Sequence, residues 1–281
     1  MTFSSVLNFS NTNLTASSAS LAQNVLRLSL GLLISLRGWH RLFFEGPAWL
    51  AGELSQQGWP FALAGAILIS TCEAVAGLML LISWRVKSAA YALILTYLSW
   101  LLLLQRNNGW FDLGSDSYGM ECTVLMMVAL LALAWYQNTA SQIQANYLLR
   151  YFTAFFVMMH GWHRIDNGGW VAWGTYLSEQ GWPFGVMITA AITALEAFAA
   201  PLFAWARWPL VSQILGFSYC ALYTAAIYLH HWRFGWFLKP QGVNGIEAAV
   251  LLLSCFVCVI IALPECRLSA AASRLEHDTQ A

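Results

Sequence analysis

The sequence predicts an all-α membrane protein: eight transmembrane helices arranged as two parallel four-helix modules. Three observations predict it. Hydrophobic residues make up 59% of the 281 and charged residues 9%, against about 25% charged in a soluble domain, so a surface this apolar cannot be kept wet. Apolar runs of roughly the 20 residues needed to cross a bilayer recur along the chain. The chain also repeats itself. Arg27 to Arg41 (RLSLGLLISLRGWHR) is echoed by Arg150 to Arg164 (RYFTAFFVMMHGWHR), and Gly58-Trp59-Pro60-Phe61 by Gly181-Trp182-Pro183-Phe184. Both pairs of stretches lie 123 residues apart (150 − 27 and 181 − 58), as do Glu73 and Glu196. A register kept without a gap over that distance reads as an internal duplication.

The elements follow in order. Residues 1–20 form a polar N-terminal tail that turns helical near Ala19; Met1 to Gln23 holds no Lys or Arg and so lacks the basic n-region of a signal peptide. The first module, residues 21–136, holds spans at Leu21–Phe44, Phe61–Ser83, Ser88–Gln105 and Tyr118–Tyr136. A linker covers 137–145. The second module, 146–264, holds spans at Tyr147–Arg164, Phe184–Trp205, Trp208–His231 and Ile246–Leu263. Residues 265–281 form a polar C-terminal tail, expected to be mobile from Pro264 on. Late in each module the offset becomes 126: Gly109-Trp110-Phe111 matches Gly235-Trp236-Phe237, and Glu121 matches Glu247. The second copy therefore carries three extra residues between its second and fourth helices. Four helices per module give the copies the same orientation, as parallel repeats about an axis along the membrane normal.

An even number of spans puts both termini on one side. That side carries Arg85, Lys87, Arg207, Arg267 and Arg274, with Arg27 and Arg150 at nearby helix ends. The other side carries Arg41, Arg106, Arg164, Arg233 and Lys239, with Arg37. The excess favours cytoplasmic termini. Net charge is zero, so no long-range field argues for nucleic acid. The six cysteines lie mostly in apolar runs and do not recur between copies; Cys255 and Cys258 form a C-x-x-C inside a helix, where packing is expected rather than thiol chemistry.

Several constellations carry candidate chemistry. Arg27, Gly31, Gly38 and Arg41 fall on one stripe of the first helix, and a glycine stripe lets another helix approach closely in a bilayer. At the end of that helix Arg37, His40 and Arg41 share a patch; the second copy offers His160, His163 and Arg164. These suit an anionic or carbonyl group, though terminal Arg and His also snorkel to headgroups. Glu73 and Glu196 sit near the middle of their helices, three residues after Ser70 and Thr193, whose hydroxyls are expected within reach on the same face. A carboxylate at that depth costs several kcal/mol unless paired or protonated, so it must face the bundle interior. It reads either as a proton or substrate path or as a structural pair, with Arg27 and Arg150 as partners. Glu121 and Glu247 open the fourth helices, where an acid complements the helix dipole; the sharper expectation pairs them with Arg41 and Arg164. His40, His160, His163, His230 and His231 all map to one side, amid Trp-rich loops that an aromatic belt also predicts. These imidazoles with aromatic walls suit a quinone headgroup, less well a haem. No zinc or haem signature, phosphate loop or nucleophile elbow appears, and no metal site is expected.

The recurring elements resemble the DoxX/DoxD-like family: a starting Arg, a G-x-H ending to the first helix, a central Glu in the second and a G-x-E opening the fourth. Here these are Arg27, Gly38, His40, Glu73 and Gly119-Met120-Glu121, then Arg150, Gly161, His163, Glu196 and Gly245-Ile246-Glu247. Most members resemble one such module, whereas this chain looks like two in tandem. The resemblance implies a bacterial inner-membrane protein linked to quinone redox or to assembly of a membrane complex. It implies a redox subunit in which His40 or His163 donates to a quinone carbonyl and Glu73 or Glu196 relays the proton. Arg41, Arg164, His160, Glu121 and Glu247 would line the headgroup site. With no cofactor motif visible, electrons would come from a partner subunit. The alternative is a non-catalytic scaffold or assembly factor in which the acids only lock helices. A transporter is a third option, with a break foreseen only in the sixth helix, at Pro201.

Overall fold

The computed structural model describes residues 3–106, 108–111, 119–205, 209–237 and 245–279; over 3–17 and 263–279, and at 209, it describes the backbone alone. Among the described residues the chain is helical and contains no strand. The long helices are α1 (Phe3–His40), α3 (Ala62–Leu81), α4 (Val86–Trp100), α5 (Glu121–Tyr136), α6 (Gln142–Asp166), α8 (Gly185–Ala194), α10 (Pro209–Leu229) and α11 (Ile246–Thr279). Two short helices, α2 (Ala48–Gln56) and α7 (Gly169–Glu179), lie between the first and second long helices of each half, and α9 (Ala200–Ala204) prolongs α8.

Five stretches are long and apolar enough to cross a membrane: Ser18–Glu45, Ala62–Leu81, Val86–Gln105, Gly185–Ala204 and Leu210–Leu229. Two shorter apolar helices, Glu121–Tyr136 and Ile246–Ala262, stand at the fourth and eighth expected spans. At the fifth stands α6, which is 25 residues long but carries polar groups at both ends. Large apolar side chains such as Phe61, Leu68, Leu95, Met187 and Phe217 are exposed. Arg41, Glu73, Glu121, Arg150, Glu196 and Glu247 are buried instead. That inversion of a soluble fold suits a surface bathed in lipid. The chain is a multi-pass membrane protein.

Two boundaries differ from expectation. The polar segment before Ala19 is helical from Phe3, and the segment after Pro264 continues α11 to Thr279. Ser, Thr, Asn and Gln do not break a helix that is already nucleated by an apolar stretch, and Ala, Leu, Glu and Arg in the C-terminal segment are good helix formers. Tyr118, Trp208, Arg207 and Lys239 lie outside the described residues, and the side chains of Cys266, Arg267, Arg274 and His277 lie outside them too.

The halves are interleaved. In the first half α1 packs on α3, α3 on α4, and α4 on α5; in the second, α6 packs on α8 and α9, α9 on α10, and α10 on α11. Across the halves α1 packs on α11, and α6 on α5. One continuous core results, running from Leu26 and Leu30 through Leu130 and Leu149 to Phe203 and Phe256.

Two recurring sequence features have local causes. Gly58 (φ 82°) and Gly181 (φ 86°) end α2 and α7 in the left-handed conformation. The next amide reaches back five residues in each case, Trp59 to Leu54 O and Trp182 to Leu177 O, both 3.0 Å. This is the glycine-closed helix terminus that satisfies the last carbonyls, with Pro following to prevent continuation. Gly38 and Gly161 permit close approach: a Cβ on either would stand 2.3 Å from the amide nitrogen of Ala74 or Ala197, inside any permitted contact. The helix carrying the central Glu is thereby drawn against the first helix one residue beyond that Glu.

Candidate functional site

The close approach at Gly38 sets Glu73 opposite the end of the first helix. Arg41 Nη1 lies 2.6 Å from Glu73 Oε2, with the side chains 8% and 1% exposed. In the second half Arg164 pairs with Glu196 in the same way. Arg41 and Arg164 are 123 residues apart, as are Glu73 and Glu196. Each pair involves one wide helical turn: Arg41 begins the π-helical segment Arg41–Glu45, and Glu196 lies within the π-helical segment Leu195–Ala199. Such segments release the backbone from regular register and cluster at functional sites. The Arg41 guanidinium also sits over the Trp100 ring, 5.2 Å from its centroid, a contact that stabilises a desolvated cation.

A second layer of pairs crosses between the halves. Arg37, on α1, contacts Glu247, on α11, with Nη2 2.6 Å from Oε1 and Nε donating to the same oxygen at 2.9 Å. His160, on α6, places Nε2 3.0 Å from Oε2 of Glu121, on α5. Arg37 and His160 occupy equivalent positions at offset 123, and Glu247 and Glu121 at offset 126. Each first helix therefore answers the acid that opens the other half's fourth helix.

The aromatic residues follow the same exchange. His40 lies under Phe237, ring centroids 4.2 Å apart, and His163 stacks on Phe111 at 3.9 Å. Trp110 and Trp236, equivalent at offset 126, have buried indole N–H groups without hydrogen-bond partners. Their carbonyls accept from the backbone amides of Glu121 and Glu247 at 3.0 and 3.1 Å, clasping the start of each fourth helix. Tyr97 and Tyr223 share that offset. The Tyr97 hydroxyl is buried without a hydrogen-bond partner, within the field of Glu73, Arg37, Glu247 and Arg41. The Tyr223 hydroxyl donates to Glu196 Oε1 at 3.3 Å.

Two polar clusters result in a lipid-bounded protein, each drawing on both halves: Arg37, Arg41, Glu73, Tyr97 and Glu247 in one, and His160, Arg164, Glu196, Tyr223 and Glu121 in the other. The sequence pointed to seven of these ten as a site but missed Tyr97 and Tyr223 and the pairing of Arg37. The offset of 126 relates the two tyrosines, and the offset of 123 relates Arg37 to His160. Those were the available signals.

Three expected pairings are corrected. Arg27 and Arg150 do not meet the central acids. Arg27 Nη1 donates to the carbonyls of Leu80 and Leu81 at 2.6 and 2.8 Å, and Arg150 Nε to that of Phe203 at 2.7 Å. They serve the C-terminal ends of the second helices, where unpaired carbonyls attract cations. Glu121 and Glu247 do not meet Arg41 and Arg164, because the other half's first helix lies nearer their end of the bundle. Ser70 donates to Ala66 O at 2.8 Å instead of to Glu73, and the Thr193 hydroxyl has no hydrogen-bond partner.

The rim histidines fall into separate groups. His40 neighbours Phe237, Phe44 and, at 3.7 Å, Glu45. His160 and His163 share Phe111. His230 contacts Trp173, Tyr176, His231 and Phe234. Partial burial, then the His231 and Arg233 charges, lowers the His230 imidazole to about 4, so it is neutral at pH 7. Among the described residues no three His, Cys, Asp or Glu gather to hold a metal ion. Cys255 and Cys258 are fully buried among core residues.

Residues 22–106 match the DoxX family model. The match begins in α1 and ends just past the π-helical segment Leu101–Gln105, so it takes in Arg27, Arg41, Glu73 and Tyr97. No curated protein and no solved structure matches the chain.

Proposed function

We propose that this membrane protein, which carries a DoxX domain in its first half, is the membrane subunit of a quinone-linked redox system. In this reading it is two DoxX-like modules in tandem, with eight spans and cytoplasmic termini, in a bacterial inner membrane. One observation carries the quinone site: the buried Tyr97 hydroxyl has no hydrogen-bond partner, yet it lies in the field of two guanidiniums and two carboxylates. A buried unpaired hydroxyl costs about 1–3 kcal/mol. A carbonyl acceptor such as a quinone oxygen would satisfy it. Arg41 would add charge-assisted binding, His40 would close the rim side, and Glu73, whose Oε1 is also unpaired, would take and return a proton. In the other half His163, His160, Arg164 and Glu196 would stand in the same relation. The quinone would supply the acceptor chemistry, and the electrons would come from a partner subunit.

The test is quinone content by mass analysis of the purified chain, followed by quinone reduction with its partner. Tyr97→Phe is expected to lower bound quinone about tenfold, the value of one hydrogen bond of roughly 1.4 kcal/mol. Glu73→Gln and Glu196→Gln are expected to slow turnover. Full activity in both would remove the relay. A second reading has its own observation. All four acids lie against basic side chains, three on arginines and Glu121 on His160, and two of those contacts cross between halves, as in a scaffold whose acids lock helices. It predicts that the Gln variants lose folding yield and that extracted protein carries no quinone.

A further inference from the structure

The two clusters are built on one plan, and they differ in three places. At the shared position of the first helix one half has Arg37 and the other His160, each on a buried glutamate of the opposite half. The tyrosine of the first cluster is unbonded, whereas Tyr223 donates to Glu196. Glu73 lies in regular helix, whereas Glu196 lies in a π-helical segment that is followed by Pro201. The first difference bears directly on proton exchange. A guanidinium keeps its proton at any physiological pH and holds Glu247 as a fixed ion pair. An imidazole 3.0 Å from a carboxylate can share, release and regain one.

We infer that His160 and Glu121 of the second cluster form a proton-exchange site, and that the Arg37–Glu247 pair at the matching place in the first is its non-exchanging counterpart. His160 takes a proton from water at the rim, where its side chain is 19% exposed. The Nε2–Oε2 contact is close but not aligned as a hydrogen bond; a small turn of the ring brings the N–H onto Oε2 of Glu121, the proton passes to leave a neutral imidazole and a carboxylic acid, and release runs the same way in reverse. No electron moves and no other reactant is needed. The groups around His160 are consistent with this role. Glu121 faces it from α5. Arg164, one turn along its own helix, is neutralised by Glu196 from the π-helical segment. Tyr223, from α10, lies in the field of both Arg164 and Glu121. Glu247, the acid that opens α11, is held by Arg37. Phe111 meets the ring edge to face, centroids 5.8 Å apart, and Phe156 lies tilted against it at 4.9 Å.

The inference does not depend on which headgroup the first cluster binds, and its test uses no quinone. The full chain, in lipid nanodiscs with ring-labelled histidine, is acidified stepwise while infrared difference spectra are recorded. An imidazole band and a carboxylate band are expected to change together. His160→Arg, which copies the first half, removes both. Glu121→Gln removes the carboxylate band and shifts the imidazole midpoint. Arg37→His adds a second coupled pair of bands. Should His160→Arg fold poorly, His160→Gln is read in the same way. A His160 variant whose spectrum keeps the coupled bands overturns the assignment, since the signal then belongs to the rim or tail histidines. So does an Arg37→His variant that is folded and adds no band.

Discussion

Glu73 is 1% exposed in a lipid-bounded bundle, and its charge is tolerable because Arg41 meets it at 2.6 Å. Removing one partner of a buried pair leaves an uncompensated charge, which costs about 3–5 kcal/mol. Glu73→Gln should therefore lower the unfolding midpoint of the detergent-solubilised protein, and the double variant Arg41→Met with Glu73→Leu should recover most of the loss. A double variant no better than the single would mean that the pair does not act as a unit. His230 offers a pH prediction outside the spans. Its folded-state value, about 4, lies below the ordinary value of 6.5, so the unfolded chain binds the extra proton more readily. Stability should hold above pH 6.5 and decline as pH falls from there toward 4. His230→Asn should flatten that decline in a pH series of thermal melts.

At the scale of the element, two glycine positions shape the site. Gly38→Ala and Gly161→Ala each place a methyl 2.3 Å from backbone of the facing helix. The helices must then separate, and Arg41 and Arg164 lose their acids. A destabilisation of about 2 kcal/mol or more is expected for each, within the overpacking range, read from denaturant titrations. Gly58→Ala touches nothing within 4 Å but must adopt φ +82°, so it should cost only about 1 kcal/mol. The contrast separates close approach from backbone conformation as the reason for a glycine. The elements themselves were partly legible: apolar length marked the five stretches long enough to span, whereas the sixth helix runs on through Pro201 and its wide turn, Leu195–Ala199, lies before that proline. The short helices α2 and α7 were not, since nine and eleven residues with a few Trp and Leu between Gly and Pro read equally well as loop. Nor were the π-helical segments Arg41–Glu45, Leu101–Gln105 and Leu195–Ala199.

Over the whole molecule, the exchange of partners ties each half to the other. Arg37 would face lipid or headgroups without Glu247, and Glu121 would lose His160. Residues 1–137 and 138–281 expressed separately should be poorly recovered, and co-expressed they should copurify as a pair. Copurification should weaken with Glu247→Gln by the coupling between Arg37 and that acid. If either half folds alone with full yield, the interleaving is not what holds them.

The amino-acid sequence by itself determined an all-helical chain with several apolar stretches long enough to cross a membrane, and it showed pairs of like residues at constant offsets, because length, apolarity and spacing are properties of the chain alone. It also singled out Glu73, Glu196, Glu121, Glu247, Arg41, Arg164 and His160. Only the tertiary structure decided which acid meets which cation. Arg37 and Glu247 stand 210 residues apart, and their contact depends on α1 packing against α11 rather than on any spacing. In lipid a buried charge goes to whichever opposite charge the helix packing brings within about 3 Å, and helical periodicity carries no information about that neighbour.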